Sequence, residues 1–312
     1  AYPTSIESTL DWLEIADILA EGKPLSEHRI MSLGVAITSP MILNEANFFI
    51  LKKATERGLM AMPTVCPMAG TTSPLTFASN VLSANAENLF FIALAQLLKP
   101  GTPVVHASGQ SLTDMRSGHD IYYNADKMLW KIANAQMGRF YNVPVAGESA
   151  GALVGRYDVQ AGIESALLLL PSIVCGQNYF SGLGSNYNAC GMSPEMIVIQ
   201  ADLAQLLERV AAGIDTGDDK LGYESIAAAG PGGHFLEDPL TIKMLRSGEF
   251  FTAGCFDRLG ERSANEAKDS MRARAHTRVK ELLAAHQPAV PERIKEEIQR
   301  WARGKEAKIK PR

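Results

Sequence analysis

The chain has 312 residues, of which 46% are hydrophobic and 21% charged, and its formal net charge is −4. This composition is ordinary for a globular protein of one large domain or two small ones. The one basic block, residues 305–312, gives little support for nucleic-acid binding, and no signal peptide or uninterrupted apolar run of about 18 residues is present, so we expect a cytoplasmic protein without membrane contact.

The four cysteines are far apart in the sequence and form no CxxC pair: Cys66, Cys175, Cys190 and Cys255. Isolated thiols of this kind are typical of a reduced compartment.

The predicted elements begin with a helical pattern over residues 5–22 and continue as repeated units of strand, loop and helix. Each unit has a short apolar run followed by an amphipathic stretch, and the pairs are 35–38 with 44–57, 59–65 with a helix to about 98, 104–106 with 125–140, and "NVPVAGES" with 158–170. Such alternation predicts a parallel sheet with right-handed crossovers.

The loops that follow the predicted strands are long and polar, as in "MAGTTSP", "ASGQSLTDMRSGHD" and "GESAGALVGRYD", whereas the turns that enter the strands are tight. This asymmetry favours a TIM-type (β/α)8 barrel, in which the functional groups lie on the loops after the strands. A doubly wound sheet is the alternative, although no GxGxxG follows a strand.

About five strands are predicted before residue 182, and the rest of the chain is predicted to be mostly helical, over 194–212, 221–229, 239–246, 262–285 and 291–304. We therefore expect one α/β barrel domain over residues 1–312, with a strand-rich part at about 29–182 and a helical part at about 193–306. The barrel is expected to lack its N-terminal part and to carry extra C-terminal helices.

Four motifs occur in order: "AGTTSPLT" (69–76), "DMRSG" (114–118), "DVQAGIE" (158–164) and "AGPGGHFL" (229–236). Together, over about residues 34–304, they resemble the trimethylamine methyltransferase family. The chain shows no non-standard residue, and in this it resembles the pyrrolysine-free branch of the family. The resemblance implies demethylation of a quaternary or tertiary amine, such as glycine betaine or trimethylamine. The methyl group would pass to the Co(I) corrinoid (cobalamin) of a separate partner protein, with no cofactor bound tightly in this chain.

A quaternary ammonium nitrogen has no lone pair, so an acid cannot protonate it and a metal cannot coordinate it. If cobalt is the nucleophile, the protein has only to hold the cation, orient one methyl group and exclude water. We therefore expect a site without a catalytic nucleophile or a bound metal, and we expect a homo-oligomer.

Aromatic faces suit such a cation, because each cation–π contact contributes about 0.5–2 kcal/mol. The candidate aromatic residues lie at strand ends or in loops near the motifs, and they are Tyr157, Tyr179, Phe180, Tyr187 and Phe235. The alternative is ordinary core or rim packing.

We assign three candidate catalytic residues, Glu148, Asp158 and His234. Glu148 ends the "PVAGES" strand and is expected to point into the barrel mouth. Asp158 and Gln160 begin the next helix, where Asp158 is either a ligand for the substrate or an N-cap. His234 either contacts the substrate or corrinoid or is a structural histidine.

The 68–80 segment joins a strand to a helix, and Ser73 before Pro74 is expected to be the helix N-cap. Thr71 and Thr72, with the free N–H groups of the turn, are candidates to bind the anionic end of a substrate.

Two further loops carry candidate binding residues. Asp114 and Arg116 either bind a carboxylate or form an ion pair that orders the loop. Gly230, Gly232 and Gly233 would permit close approach of a large flat group such as a corrinoid.

Two other functions stay open at this point. The first is a zinc-dependent thiol or alcohol methyltransferase with ligands among Cys66, Cys175 and Cys190. The second is a non-catalytic subunit that needs another chain to complete its barrel.

Overall fold

The computed structural model describes residues 1–28, 30–250, 254–257 and 270–306. The described strands all lie between Ser32 and Met192, and in chain order they are β1 (Ser32–Ile37), β2 (Met60–Val65), β3 (Met68–Ala69), β4 (His106–Ala107), β5 (Ser111–Thr113), β6 (Asp120–Ile121), β7 (Val145–Glu148), β8 (Tyr179–Ser181), β9 (Ser185–Asn186) and β10 (Gly191–Met192).

The described helices separate the longer strands and make up most of the chain after residue 193. In chain order they are α1 (Ile6–Leu19), α2 (Glu45–Arg57), α3 (Phe77–Leu98), α4 (Lys127–Tyr141), α5 (Val159–Val174), α6 (Pro194–Ala212), α7 (Asp218–Leu221), α8 (Tyr223–Ala229), α9 (Pro239–Leu245), α10 (Met271–Ala285) and α11 (Glu292–Glu306).

The four strands that the sequence analysis located are confirmed as β1, β2, β4 and β7, and β8 is a further parallel strand before residue 182. They run parallel and lie side by side in chain order: β1 pairs with β2, a bridge from Ala61 to Val104 continues to the strand of β4, and β7 joins β4 to β8. A doubly wound sheet would reverse this order at a switch point. The order is that of a βα barrel, and closure into a TIM-type (β/α)8 barrel stays a prediction.

The core is divided by the parallel strands. The outer faces of β1 and β2 pack on α1, α2 and α3 through residues such as Leu33 and Val35, which are fully buried. Inside the curve of the strands, Met62, Val105 and Ala146 form a small apolar layer. This layer lies below the carboxyl ends of the strands and forms a floor for whatever those ends enclose.

The turn at residues 68–80 shows that the prediction of Ser73 as the helix N-cap is wrong. The N-cap of α3 is Thr76, whose side chain accepts from the N–H of Ser79, and Ser73 is not the cap. Ser73 is buried instead, and its hydroxyl accepts from the amide of Asn80 at 2.7 Å. The helix therefore begins three residues later than the Ser-Pro pair indicated, because Pro74 lies in the turn and not in the first helical position.

A small three-stranded sheet brings two of the sequence motifs together. β5 lies between β3 and β6, parallel to β3 and antiparallel to β6, so the "AGTTSPLT" and "DMRSG" loops are neighbours. The hydroxyls of Thr71 and Thr113 are 2.9 Å apart across this contact. The two loops form a shared structure beyond the ends of β2 and β4.

The first two residues lie beside β1. The carbonyl of Ala1 accepts from the N–H of Gly34 at 2.7 Å, and the ring of Tyr2 lies directly over Gly34. A Cβ at Gly34 would be 2.0 Å from that ring, so glycine is required there for Tyr2 to lie against the inner face of β1.

Among the described helices, α3 has the length and apolar composition to cross a membrane. Its polar residues are nevertheless bound within the fold: Glu87 accepts from the hydroxyl of Ser39 at 2.8 Å, and Asn88 accepts from the N–H of Ala107 at 2.9 Å. These contacts are those of an outer helix of the βα array, which holds the strand ends in place.

Candidate functional site

A cavity of about 270 Å³ opens at the carboxyl ends of β2, β4, β7 and β8. Parallel βα folds place their functional groups at this edge, because the loops after all the strands converge there. The side chains that give the cavity its chemical character are Tyr2, Thr64, Cys66, Ser108, Tyr122, Glu148 and Ser181. Its wall therefore combines one carboxylate, two phenol rings, a thiol and three aliphatic hydroxyls.

Glu148 is held in a fixed position at the end of β7. The hydroxyl of Tyr123 donates a hydrogen bond to Oε1 of Glu148. A Cβ at Gly182 would come within 2.4 Å of Cγ of Glu148, and one at Gly151 would lie 2.2 Å from the Tyr123 ring. Two glycines thus make room for the carboxylate and for its donor, and the carboxylate is oriented before any ligand arrives.

Tyr122 forms the aromatic wall of the cavity. Its ring meets the Tyr123 ring edge-on, with centroids 5.2 Å apart, and its hydroxyl lies beside Gly109 and the thiol of Cys66. Burial raises the pKa of Tyr122 well above its usual range and also raises the pKa of Cys66, so both groups are uncharged at neutral pH.

Two lysines lie behind this wall, on the face of α4 that is turned towards the strands. Lys127 and Lys131 are only 1% and 6% exposed. Nζ of Lys127 donates to the carbonyl of Tyr122 at 3.1 Å and lies 3.1 Å from the centroid of its ring. Burial lowers the pKa of Lys127 to about 8 and that of Lys131 to about 7.

Of the predicted site residues, Glu148 lines the cavity, as expected for a residue that ends its strand. Thr71 and Thr72 lie in the neighbouring loop, where Oγ1 of Thr72 accepts from the N–H of Met68 at 2.8 Å. The N–H groups of residues 70–73 all donate to carbonyls of the same loop, so they are not free for an anionic ligand. These hydrogen bonds order the loop.

Asp114 orders its own loop. Its carboxylate accepts from the N–H of Arg116 at 3.1 Å and from the hydroxyl of Ser117. The loop-ordering role therefore comes from backbone and hydroxyl donors, and the side chain of Arg116 is exposed.

Three predicted residues lie at the start of α5, outside the cavity lining. Asp158 is the N-cap of α5 and accepts from the N–H of Ala161, which is the alternative to a ligand role. Gln160 donates to Glu164 at 2.7 Å, and the hydroxyl of Tyr157 bonds to Ser193 and Glu195.

The two aromatic residues of β8 point in opposite directions, as alternate residues of a strand must. Phe180 faces outward and packs with Leu169 and Leu207 between the sheet and the helices. Tyr179 faces inward but lies at the opposite end, in a separate 300 Å³ pocket near the start of β1 and β2. Neither aromatic ring reaches the cavity.

The remaining predicted residues lie away from the cavity lining and are exposed. Tyr187 packs against Gly155. The connection from α8 to α9 carries the others, which are Gly230, Gly232, Gly233, His234 and Phe235. Gly230 and Gly232 border open space and adopt positive φ, so a flat group can approach them, and their corrinoid-binding role stays a prediction.

Sequence reasoning missed Tyr122, Tyr123, Lys127 and Lys131. The available signal was "DIYYNADKMLWK", in which lysines four residues apart lie on one face of a helix, next to Trp130. A buried lysine face next to paired tyrosines is a departure from ordinary patterning, and such departures often accompany functional sites.

No cluster of three metal-binding side chains occurs among residues 1–28, 30–250, 254–257 and 270–306. Cys66 lines the cavity, whereas Cys175 caps the end of α5 and Cys190 is exposed. A larger groove of 840 Å³ lies between α6 and α10. Its lining includes Asp202, Cys255 and Arg274, and it is separate from the cavity at the strand ends.

The fold and the cavity together define a βα protein with a small cation-compatible site at its strand ends. The family model described as trimethylamine methyltransferase (MTTB) matches residues 1–310, and the chain belongs to this family.

Several curated relatives are similar to the chain. The glycine betaine methyltransferase of Desulfitobacterium hafniense (strain Y51) is 33% identical over 310 residues, which are 96% of this chain and 64% of the relative. Trimethylamine methyltransferase MttB of Methanosarcina thermophila is 29% identical over 83% of this chain and 53% of its own length. The proline betaine:corrinoid methyltransferase of Eubacterium limosum is 26% identical over 88% and 57%. The chain thus spans about half to two thirds of the length of these relatives.

Proposed function

We propose that the cavity at the strand ends binds a methylated ammonium group and that the protein transfers one of its methyl groups to the corrinoid of a partner protein. The observation that carries the proposal is the oriented carboxylate of Glu148 beside the Tyr122 ring, in a cavity of about 270 Å³. Support also comes from relatives whose names specify glycine betaine, trimethylamine and proline betaine.

The site offers the two interactions that a permanent cation uses. The carboxylate supplies opposite charge, and an aromatic face supplies a further 0.5–2 kcal/mol or so. No proton donor is needed for the bond that breaks, because the nitrogen of a quaternary ammonium leaves as a neutral amine. The Co(I) corrinoid, which enters as a co-substrate on the partner, supplies the nucleophile.

This chain would contribute binding, orientation and exclusion of water. The cavity floor is apolar, with Met62 and Ala146, and its wall holds one fixed carboxylate. A cation drawn to Glu148 would be held at the open end of the strands, where a partner protein can approach. The gain in rate would come from holding the methyl group in line with its acceptor.

The Glu148→Gln variant tests the role of the carboxylate. Loss of the opposite charge in the cavity wall is expected to weaken binding of a quaternary ammonium by about 2 kcal/mol, or ~30-fold. Isothermal titration calorimetry with glycine betaine and tetramethylammonium measures the change, and the exposed Glu56→Gln variant is the matched control. Equal affinity for the wild type and Glu148→Gln would contradict the assignment.

Methyl transfer is tested separately, with the pure protein, cobalamin(I) and a panel of methylated amines. We expect the absorbance change of corrinoid methylation with at least one quaternary or tertiary amine. Amine binding without methylation would instead support the non-catalytic subunit, and methylation of thiols alone would support the zinc-type alternative.

A further inference from the structure

The buried lysine pair of α4 is not used by the binding site as described so far. Lys127 and Lys131 are four residues apart, so both side chains leave the same face of the helix. Nζ of Lys131 lies 3.6 Å from the place where a Cβ of Gly147 would be, and Gly147 lines the cavity. The absence of a side chain at Gly147 leaves the ammonium group of Lys131 directly behind the cavity wall.

The charges around this pair balance. The carboxylates that act on it, within the described part of the chain, are Glu148 from β7 and Asp120 from β6. Cys66, Tyr122 and Tyr123 also face the cluster, and burial raises the pKa of each, so they are uncharged at neutral pH. Below about pH 7, where both lysines are protonated, two ammonium groups and two carboxylates therefore sum to zero when the cavity is empty.

A permanent cation beside Glu148 would break this balance. The cluster, in which the lysines are buried and the carboxylates half-buried, would then hold three positive charges against two negative ones at short range. The substrate cannot lose its charge by deprotonation, because a quaternary nitrogen carries no proton. The lysines are the groups that can restore neutrality, and each can do so by releasing one proton.

We propose that Lys131 releases its ammonium proton to solvent when a quaternary ammonium enters the cavity, so that the cation and this proton exclude one another. The inference depends on the proposed function, since it concerns the same cavity. When the methyl group has left, the electron pair of the broken C–N bond stays on nitrogen, and the amine product is therefore neutral. The cluster then takes one proton back from solvent, and the charge that departs with the methyl group is replaced.

The ionisation of the pair supports the assignment to Lys131. Burial lowers the pKa of Lys131 to about 7, and the neighbouring charge of Lys127 acts in the same direction. Lys127, whose pKa is lowered less, keeps a hydrogen bond to the carbonyl of Tyr122. The proton of Lys131 is therefore the one lost at the lower pH.

The affinity for a quaternary ammonium should therefore depend on pH. The ligand cannot cause this dependence, because its nitrogen carries no proton. Below about pH 7 the proton of Lys131 competes with the cation, and well above pH 7 the competition ends. Affinity for a quaternary ammonium is expected to be about tenfold weaker at pH 6 than at pH 8.5, since each pH unit below the pKa contributes up to a factor of about ten.

Calorimetric titration of the wild type with tetramethylammonium, at pH 6 to 8.5 and in buffers of different ionisation enthalpy, measures affinity and proton release together. We expect nearly one proton released per cation at pH 6 and almost none at pH 8.5. The uncharged analogue 3,3-dimethylbutanol should bind without releasing a proton.

Variants assign the effect to one residue. Lys131→Met should abolish both the proton release and the pH dependence, whereas exposed Lys99→Met should retain them. Lys131→Arg, which stays charged, should bind the cation weakly at every pH.

Binding of quaternary ligands with no pH dependence, or a pH dependence that persists in Lys131→Met, overturns this proposal and leaves the proposed function intact. Failure of the wild type to bind any methylated ammonium at any pH overturns both.

Discussion

Glu148 and Lys131 illustrate what single residues contribute at the strand ends. Glu148 is recognisable from its place at the end of a strand, and the structure adds its donor, Tyr123, which is distant from it in the sequence. Lys131 is recognisable only in the structure, because a lysine on a helix is usually solvated and this one is buried. The chemistry of the cavity arises from the meeting of these two side chains.

Burial of Lys131 has a consequence for stability. Its pKa is about 7 in the folded chain and has its ordinary value of 10.5 when unfolded, so the unfolded state binds more protons between these values. Stability of the wild type relative to Lys131→Met should therefore rise with pH above 7, by at most about 1.4 kcal/mol per pH unit. Below pH 7 the difference should be constant.

Urea unfolding at pH 6, 7.5 and 9 measures this difference. Lys99→Met, an exposed replacement of the same kind, should show no such trend. Stability curves for the wild type and Lys131→Met that run parallel from pH 6 to 9 would mean that Lys131 keeps its proton in the folded state.

At the scale of elements, the start of α3 shows how a turn sequence can mislead. Ser73-Pro74 has the composition of an N-cap and first helical residue, but Thr76 is the cap. The hydroxyl of Ser73 accepts a hydrogen bond from the side-chain amide of Asn80, and the same amide also donates to the carbonyl of Pro67 at 3.1 Å. The buried bond to Asn80 decides the start of the helix, because it ties the turn to the helix from the inside.

Thr76→Ala should remove the cap and lower the free energy of unfolding by about 1 kcal/mol. Thermal unfolding followed by circular dichroism measures the loss. Thr71→Ala, in the same turn but outside the helix, is the comparison, and its hydroxyl contact to Thr113 is a single neutral one. Unchanged unfolding of Thr76→Ala would contradict the assignment of Thr76 as the cap.

At the scale of the whole molecule, the two ends of the described chain meet. α11 packs on α1, where Lys305 lies 2.6 Å from Asp11 and 3.0 Å from Glu14, and the indole of Trp301 donates to Glu14 at 2.6 Å. These groups are at least partly exposed, and exposed ion pairs contribute about 1 kcal/mol or less. The contact therefore positions α11 more than it stabilises the fold.

The double variant Asp11→Asn/Glu14→Gln is expected to speed amide exchange in residues 292–306 while lowering global stability by no more than about 1 kcal/mol. Hydrogen exchange with mass spectrometry measures both. Because salt screens such pairs, 1 M NaCl should shrink the difference from the wild type. Glu297→Gln, an exposed change on α11 itself, is the control, and unchanged exchange in the double variant would show that apolar contacts alone hold the helix.

The sequence by itself determined the alternation of strands and helices, the strand-end position of Glu148 and the family resemblance. These features follow from local periodicity and from short motifs, which need no knowledge of distant contacts. The aromatic residues of the cavity did not follow: Tyr2 and Tyr122 line it, and none of the five aromatic candidates does, which were Tyr157, Tyr179, Phe180, Tyr187 and Phe235.

Only the tertiary structure decided which side chains share the cavity. Alternate residues of β8 face opposite sides, and the register of the strand places Phe180 outside and Ser181 inside. Burial of Lys127 and Lys131 likewise depends on how α4 packs against its strands. Register and helix packing are set by contacts between residues far apart in the chain, so no local pattern records them.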